Sequence, residues 1–298
     1  MHMQFLFRNR NRQLRAGWEI LWVGGAIALL TVIVSFGLSL RVGSTGLFDP
    51  DGWVRVFKST AIYSFIVVCY TVRIIHKRPL SSIGLSRPDG KRFAAGFAGG
   101  ALLLTSVLLV LWGLGNARVQ GEWLQPRFGQ LDAADIVITA LLAGICEEVI
   151  FRGYLQHLLS SRLGIPAAVG LTSILFSFAH IANPGYSWIS GLNIVIIALI
   201  FSWVTLRTGN LYAAMALHIS WNLFQGYIYG VAVSGNAPKG IYSISLQGNI
   251  LLTGGKFGLE GSLVTTLILV ILYTALLLLS SGKRGTRIQG REGSIRIR

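Results

Sequence analysis

Eight apolar stretches, separated by polar, basic or glycine-rich segments, limit the folds that are open to this chain. An α-helix rises about 1.5 Å per residue, so about 20 apolar residues cross the roughly 30 Å hydrocarbon core of a membrane. Hydrophobic residues make up 53% of the chain and charged residues 12%, about half the charged fraction of soluble domains. The sequence therefore predicts an all-α, polytopic membrane protein with about eight transmembrane helices. The predicted spans are 17–40, 61–75, 93–115, 136–158, 166–181, 191–206, 211–230 and 263–280.

The placement of the +15 net charge predicts the orientation of the chain. Four Arg precede the first span, six Lys and Arg follow the last, and five lie between the second and third spans. With eight spans these segments share one side of the membrane, which the positive-inside rule makes the cytoplasm. We expect a multi-pass protein of the cell membrane with both termini cytoplasmic and basic tails that bind anionic lipids. No nucleic-acid partner is expected, because the tails lack basic surfaces interleaved with aromatic residues.

The spans divide the chain into segments with different expected roles. The first three spans carry no polar residue that suggests catalysis, and their Gly96 and Gly100 are spaced for close helix packing. The four spans that follow hold the residues that suggest chemistry and form the expected four-helix catalytic core. The predicted segments are a basic tail at 1–16, accessory helices at 17–135, the core at 136–230, an external Gly-rich loop at 231–262, the last helix at 263–280 and a basic tail at 281–298.

Three charged residues lie within the fourth apolar span. Glu148 and Arg152 are four residues apart, so they share one helical face and can pair. The adjacent Glu147 is turned about 100° away and faces a different neighbour. An ionisable group at membrane depth is costly, which makes it a candidate functional residue. We expect Arg152 to neutralise Glu148 and to leave Glu147 available as a base.

Two further helices each present a pair of residues with the same spacing. Phe176 and His180 lie four residues apart on the fifth span, and His218 and Asn222 on the seventh. Such pairs share one face of a helix, as a site built between bundled helices requires. A single buried His often serves packing alone, and Phe176 alone suggests ordinary packing. Together, the acid pair and the two imidazoles predict one site near the middle of the membrane.

The ordered motifs EExxxR, FxxxH and HxxxN on successive apolar helices resemble the CAAX protease and bacteriocin-processing enzyme family. The resemblance extends over residues 136–229 and includes the sequences that flank the acid pair and the HxxxN helix. It implies an eight-helix intramembrane endopeptidase whose catalytic cavity lies among four core helices. EExxxR alone is a weak signal, whereas the ordered triple is specific.

The resemblance also implies a role for each matching residue. Glu147 corresponds to the general base on a water molecule that His180 holds. His218 and Asn222 correspond to donors of hydrogen bonds to the oxyanion of the tetrahedral intermediate. Glu148, Arg152 and Phe176 are expected to support these four residues.

Two mechanisms stay open at this point. Glu147, His180 and His218 are also a plausible zinc ligand set with one open position for water. The two His do not have the HExxH spacing of zincins, and a carboxylate can activate water without an ion. We therefore expect hydrolysis without a cofactor, with zinc as the alternative. Cys146, next to Glu147, is a further alternative as a nucleophile.

The expected partner is a peptide or protein substrate, lipidated or not, since nothing in the sequence indicates prenyl recognition. Two other functions remain open, a non-catalytic membrane scaffold or immunity protein and an ion- or proton-coupled transporter. A transporter often shows an internal repeat, and none is evident here. The Gly-rich segment 251–262 is expected to be a flexible external connector, with a re-entrant or lid loop as the alternative.

Overall fold

The computed structural model describes residues 16–42, 60, 62–123 and 125–281. Each predicted apolar stretch coincides with a helix, apart from small shifts at the ends. The predicted basic tails lie outside the described residues, except at their inner edges. The helices are α1 (Ala16–Val42), α2 (Ile62–Ile75), α3 (Gly90–Gly113), α4 (133–163), α5 (Ile165–Phe178), α6 (Trp188–Thr208), α7 (212–228) and α8 (Leu263–Ser281).

The outer surface of these helices is apolar, as contact with hydrocarbon requires. Leu102 on α3 is 71% exposed, and Leu267 and Ile271 on α8 are also largely exposed. Surfaces of this kind on soluble monomers are limited to small patches. Within the described residues, three helices are long and apolar enough to cross a membrane, namely α3, α6 and residues 263–280 of α8. The chain is thus a helical membrane protein, and the count of eight spans stays a prediction.

Helix α7 is at the centre of the bundle, and glycines allow its neighbours to approach closely. A Cβ atom on Gly96 of α3 would lie 2.1 Å from the carbonyl oxygen of Ala213, and one on Gly100 would lie 2.3 Å from that of Leu217. The spacing of these two glycines predicted this contact. On the other side, Gly144 of α4 packs against Ile219. Because residues 213–222 are all buried, the polar groups of α7 face protein rather than lipid.

The all-α prediction needs one correction. Strand β1 (Ala117–Val119) pairs antiparallel with strand β2 (Ile244–Leu246), so that Ala117 faces Leu246. This two-stranded ribbon supplies hydrogen-bond partners for backbone groups in the loops that follow α3 and α7. These groups lie outside the helices, so they need partners of another kind. It ties both loops to the same end of the bundle.

The loop 231–262 is folded, contrary to the interpretation of its Gly-rich segment 251–262 as a flexible connector. It contains a helical turn at Ile250–Thr253 and two 3₁₀ turns. Phe257 and Leu259 are fully buried within it. The side chain of Asn193 on α6 donates hydrogen bonds to the backbone oxygens of Glu260 and Ser262. The loop therefore forms one wall of the bundle interior.

Candidate active site

The two acids lie between irregular turns of α4. The α-helical segment Ala143–Glu148 is flanked by π-helical turns at Val137–Leu142 and Val149–Leu155. Turns of this kind are rare and are frequent at functional sites, because they redirect side chains along a helix. Here they accompany the acid pair, in which Glu148 is fully buried and Glu147 is partly exposed. The sequence pattern did not predict the π-helical turns.

Glu148 and Arg152 form a fully buried ion pair, as their spacing predicted. Arg152 Nη1 lies 3.1 Å from Glu148 Oε1, and both side chains are almost inaccessible. The guanidinium carbon of Arg152 also lies 4.3 Å from the ring centre of Phe176 and 5.1 Å from that of Phe201. Aromatic faces attract cations at these distances. Phe176 thus makes a cation–π contact with the Arg152 guanidinium in addition to its packing contacts.

His218 is oriented by Glu148 and Phe201. Its Nδ1 atom lies 3.1 Å from Glu148 Oε1. A carboxylate that pairs with Arg152 accepts hydrogen bonds, so Nδ1 of His218 is the donor. The His218 ring lies parallel to Phe201 within 20°, with the ring centres 5.1 Å apart. Nε2 of His218 lies on the opposite edge of the ring, 4.0 Å from Glu147 Oε2.

His180 lies in the turn that follows α5, since the helix ends at Phe178, two residues earlier than its predicted position on the fifth span requires. Its Nδ1 atom is 2.8 Å from the carbonyl oxygen of Phe176, which can only accept, so Nδ1 carries a proton. Nε2 of His180 then lies 4.0 Å from Glu147 Oε2. The structure therefore brings His180 and His218 to the same carboxylate oxygen, as a shared site requires.

The space around Glu147 Oε2 suits one bridging water molecule. This oxygen is buried and has no hydrogen-bond partner among the described residues. When one water molecule makes hydrogen bonds of about 2.8 Å to two atoms, with about a right angle between the bonds, the two atoms lie about 4.0 Å apart. The separations of this oxygen from the two imidazole Nε2 atoms have this value. A water molecule here would contact the carboxylate and an imidazole together.

Asn222 lies one turn after His218 and is held by a chain of hydrogen bonds. Its amide nitrogen donates to the carbonyl oxygen of Thr139 over 3.2 Å, which leaves one amide hydrogen free for another acceptor. The Thr139 hydroxyl bonds the Tyr227 hydroxyl, and Tyr227 donates to Asp135 over 2.7 Å. These contacts fix the direction of the Asn222 side chain.

A third acid, Glu260, lies close to the same residues and was missed from the sequence. Its carboxylate accepts hydrogen bonds from the Trp221 indole at 3.1 Å and from the Ser234 hydroxyl at 2.9 Å. Burial raises the pKa of Glu260, and the hydrogen bonds from Ser234 partly offset this rise. Glu260 follows the Gly-rich run and precedes the last predicted span. Because it lies outside the apolar spans, its sequence position does not mark it as an acid at membrane depth.

A cavity joins Glu260 to the predicted residues. Because His180 and His218 both line it and both face Glu147, the cavity opens next to the candidate water position. The polar residues that line it are His180, Asn193, His218, Asn222, Ser234, Glu260 and Thr265. Asn193 had a sequence signal, since an amide inside an apolar span is as unusual as a His there.

The distances between Glu147, His180 and His218 can be compared with the distances between the ligands of a zinc site. Zinc binds Glu oxygen and His nitrogen at about 2.0–2.2 Å, so tetrahedral ligands lie about 3.4 Å apart. The donor atoms of Glu147, His180 and His218 are chemically suitable, and each imidazole has its other nitrogen bonded as metal sites require. The separations of 4.0 Å between Glu147 Oε2 and each imidazole Nε2 are wider than a bound ion needs. Over the described part of the chain, no three His, Cys, Asp or Glu side chains lie close enough to hold a metal.

The fold and the site define a helical membrane protein with a buried acid, two converging imidazoles and an oriented amide. Residues 129–224 match the family model of type II CAAX prenyl endopeptidase Rce1-like proteins. This segment contains all seven predicted site residues, and the match confirms the resemblance predicted from the three motifs. The similarity supports a CAAX-type intramembrane protease in general. No curated protein and no solved structure matches the chain.

Proposed function

We propose that the protein is an intramembrane endopeptidase that hydrolyses a peptide bond with a water molecule activated by Glu147. The observation that carries this function is the convergence of His180 Nε2 and His218 Nε2 on Glu147 Oε2, at 4.0 Å each. A carboxylate that forms no ion pair with Lys or Arg among the described residues, and that lies next to a cavity, is suited to general-base catalysis.

Glu147 and His180 bind and activate the water. Glu147 Oε2 accepts one proton from the water, and the neutral Nε2 of His180 accepts the second hydrogen as a hydrogen bond. The resulting hydroxide attacks the carbonyl carbon of the substrate, whose oxygen becomes negatively charged. Glu147 then transfers its proton to the amide nitrogen as the carbon–nitrogen bond breaks. The products are a carboxylic acid and an amine.

His218 and Asn222 stabilise the oxyanion. Asn222 offers its free amide hydrogen, and His218 offers Nε2–H, since Nδ1 is already committed to Glu148. His218 is then an imidazolium, and its parallel contact with Phe201 favours this charge. With Glu147 and Glu148 ionised and Arg152 cationic, the four groups sum to zero charge. A neutral core is the arrangement that a low-dielectric site tolerates best.

Zinc is the alternative cofactor. Glu147, His180 and His218 would hold it, and a zinc ion would supply Lewis-acid polarisation of a bound water. We favour hydrolysis without an ion, because the buried Oε2 of Glu147 has no hydrogen-bond partner in the part of the chain that the structure describes and is available as an acceptor for water.

The substrate of this site is a peptide or protein segment, lipidated or not, that reaches the cavity at membrane depth. We further propose a multi-pass protein of the cell membrane with both termini in the cytoplasm and the basic tails on anionic lipids. Reporter fusions that place either terminus outside the cytoplasm would contradict this topology.

Cleavage of defined peptides by the purified protein in detergent tests the function. The panel contains a peptide with a prenylated C-terminal CAAX sequence, the same peptide without the prenyl group, and leader peptides of the bacteriocin type. Mass spectrometry should find two products whose masses sum to that of the substrate plus one water. Failure to cleave any member, or cleavage that persists at the wild-type rate in Glu147→Gln, would contradict it.

A further inference from the structure

When Glu260 is ionised, no positive group of the proposed mechanism balances its charge. Its carboxylate lines the cavity next to His180, His218 and Asn222 and accepts three hydrogen bonds from Trp221 and Ser234. These donors are all neutral, so they spread the negative charge without cancelling it. No Lys or Arg forms an ion pair with Glu260 in the described part of the chain. If the four central groups sum to zero, Glu260 leaves the cavity with one excess negative charge.

Asn193 adds a second acceptor that lacks a donor. Its amide nitrogen faces the backbone oxygens of Glu260 and Ser262, at 2.8 Å and 2.9 Å, which fixes the orientation of the amide. Oδ1 of Asn193 is therefore the remaining atom, and it is buried without a hydrogen-bond partner in the described ranges of the chain. A buried acceptor left unpaired costs about 1–3 kcal/mol, so an added donor here is favourable. Asn193 itself is 1% exposed and lines the same cavity.

We propose that Glu260 and Asn193 form a substrate subsite for a positively charged group, an ammonium or a guanidinium, close to the scissile bond. Such a group carries the positive charge that would balance Glu260 and an N–H donor for Oδ1 of Asn193. The rings of Phe176, Phe201 and Trp221 line the same cavity, and aromatic faces also attract cations. The subsite presupposes the proteolytic function proposed above and specifies the class of substrate.

The location of the subsite determines which part of the substrate it binds. His218 and Asn222, the proposed oxyanion donors, line the same cavity as Glu260. A cation bound by Glu260 therefore belongs to a side chain near the cleaved bond, or to an amino terminus there. The loop 231–262 and α6 carry this specificity through Glu260 and Asn193, whereas the catalytic groups lie on α4, on α7 and in the turn after α5.

His180 and His218 line the cavity with Glu260, and a protonated His180 would lower the pKa of the Glu260 carboxyl. An imidazolium at His180 would compensate Glu260 without any substrate cation. The neutral His180 of the proposed mechanism does not. The dependence of cleavage on substrate charge therefore distinguishes a neutral His180 from a protonated one.

A matched pair of peptides tests the subsite. Each peptide of the panel is made with Lys at each position within two residues of the cleaved bond, or of the expected bond where none is cleaved, and with Nε-acetyl-lysine at the same place. We expect kcat/KM of the wild type to favour Lys by about tenfold or more at one position. Glu260→Gln should reduce this ratio to about one. Glu122→Gln, which changes an exposed acid in another loop, should retain it. Equal rates for the two peptides at every position in the wild type would overturn the subsite.

A binding measurement keeps the subsite testable if Glu260→Gln does not fold or no peptide is cleaved. The melting temperature of Glu147→Gln is recorded with each peptide of the pair. A larger rise with the Lys peptide supports the subsite even when proteolysis fails, in which case only the proposed function is lost. Equal rises with both peptides at every position would contradict the subsite and leave the proposed function standing.

Discussion

Arg152 Nη1 lies 3.1 Å from Glu148 Oε1, and neither side chain is accessible to solvent. Inside a membrane protein, removal of one partner leaves the other as a buried charge without compensation. The same carboxylate also orients His218, so the ion pair supports both the fold and the site.

Arg152→Ala should lower stability strongly. Breaking a buried ion pair costs about 3–5 kcal/mol, whereas an exposed pair contributes less than about 1 kcal/mol. Arg92, which pairs with Asp89 at the surface over 3.0 Å, provides the matched control. Thermal unfolding in detergent should show a large loss for Arg152→Ala and a small one for Arg92→Ala. Equal losses would show that the buried pair is not a major source of stability.

Asn222→Ala should reduce catalysis with little effect on substrate binding. Removal of one oxyanion donor lowers kcat by about 100-fold to 1000-fold, and an interaction made only in the transition state leaves KM nearly unchanged. Steady-state kinetics on a cleaved peptide measure both constants. A variant whose KM rises while kcat is retained would instead place Asn222 in ground-state binding.

Metal content separates the two mechanisms. Active protein should contain no stoichiometric transition metal, and chelators should leave its activity unchanged. A bound zinc that is lost with activity, restored with it, and absent from His218→Ala would favour the alternative. Glu147, His180 and His218 would then be ligands, and Glu148 would be the candidate base.

Gly258→Ala should disturb the loop 231–262. The φ angle of Gly258 is 94°, and an added Cβ would lie 1.9 Å from the carbonyl oxygen of Ala232. Neither the backbone conformation nor the space admits a side chain. Limited proteolysis should cut the loop faster in Gly258→Ala than in the wild type, with a parallel loss of activity. Gly129→Ala, where nothing lies within 4 Å, is the control and should behave as the wild type does.

The helices and the three residue pairs were predictable because each depends on local sequence. Hydropathy located α1 to α8, and the helical period placed Glu148 with Arg152 on one face. The same reasoning located Gly96 and Gly100 as a packing surface. These properties need no knowledge of how distant segments meet.

Other parts of the site depend on contacts between distant segments. Phe201 looks like any aromatic residue of an apolar helix, and only its position between Arg152 and His218 gives it a role. Glu260 lies outside the predicted spans, and the glycines before it suggested flexibility. In the structure those glycines permit close backbone contacts that bring Glu260 into the cavity. Hydropathy carries no information on such contacts.

The most direct test of the account is the hydrolysis rate of Glu147→Gln on a peptide that the wild type cleaves. Gln has nearly the shape of Glu and cannot take a proton from water, so the rate should fall to background. The melting temperature should stay close to the wild-type value, because Gln keeps the shape of Glu and the side chain at this position is partly exposed. Glu122→Gln should cleave at the wild-type rate. A folded Glu147→Gln protein that hydrolyses the peptide at a rate close to the wild type would contradict the central role of Glu147.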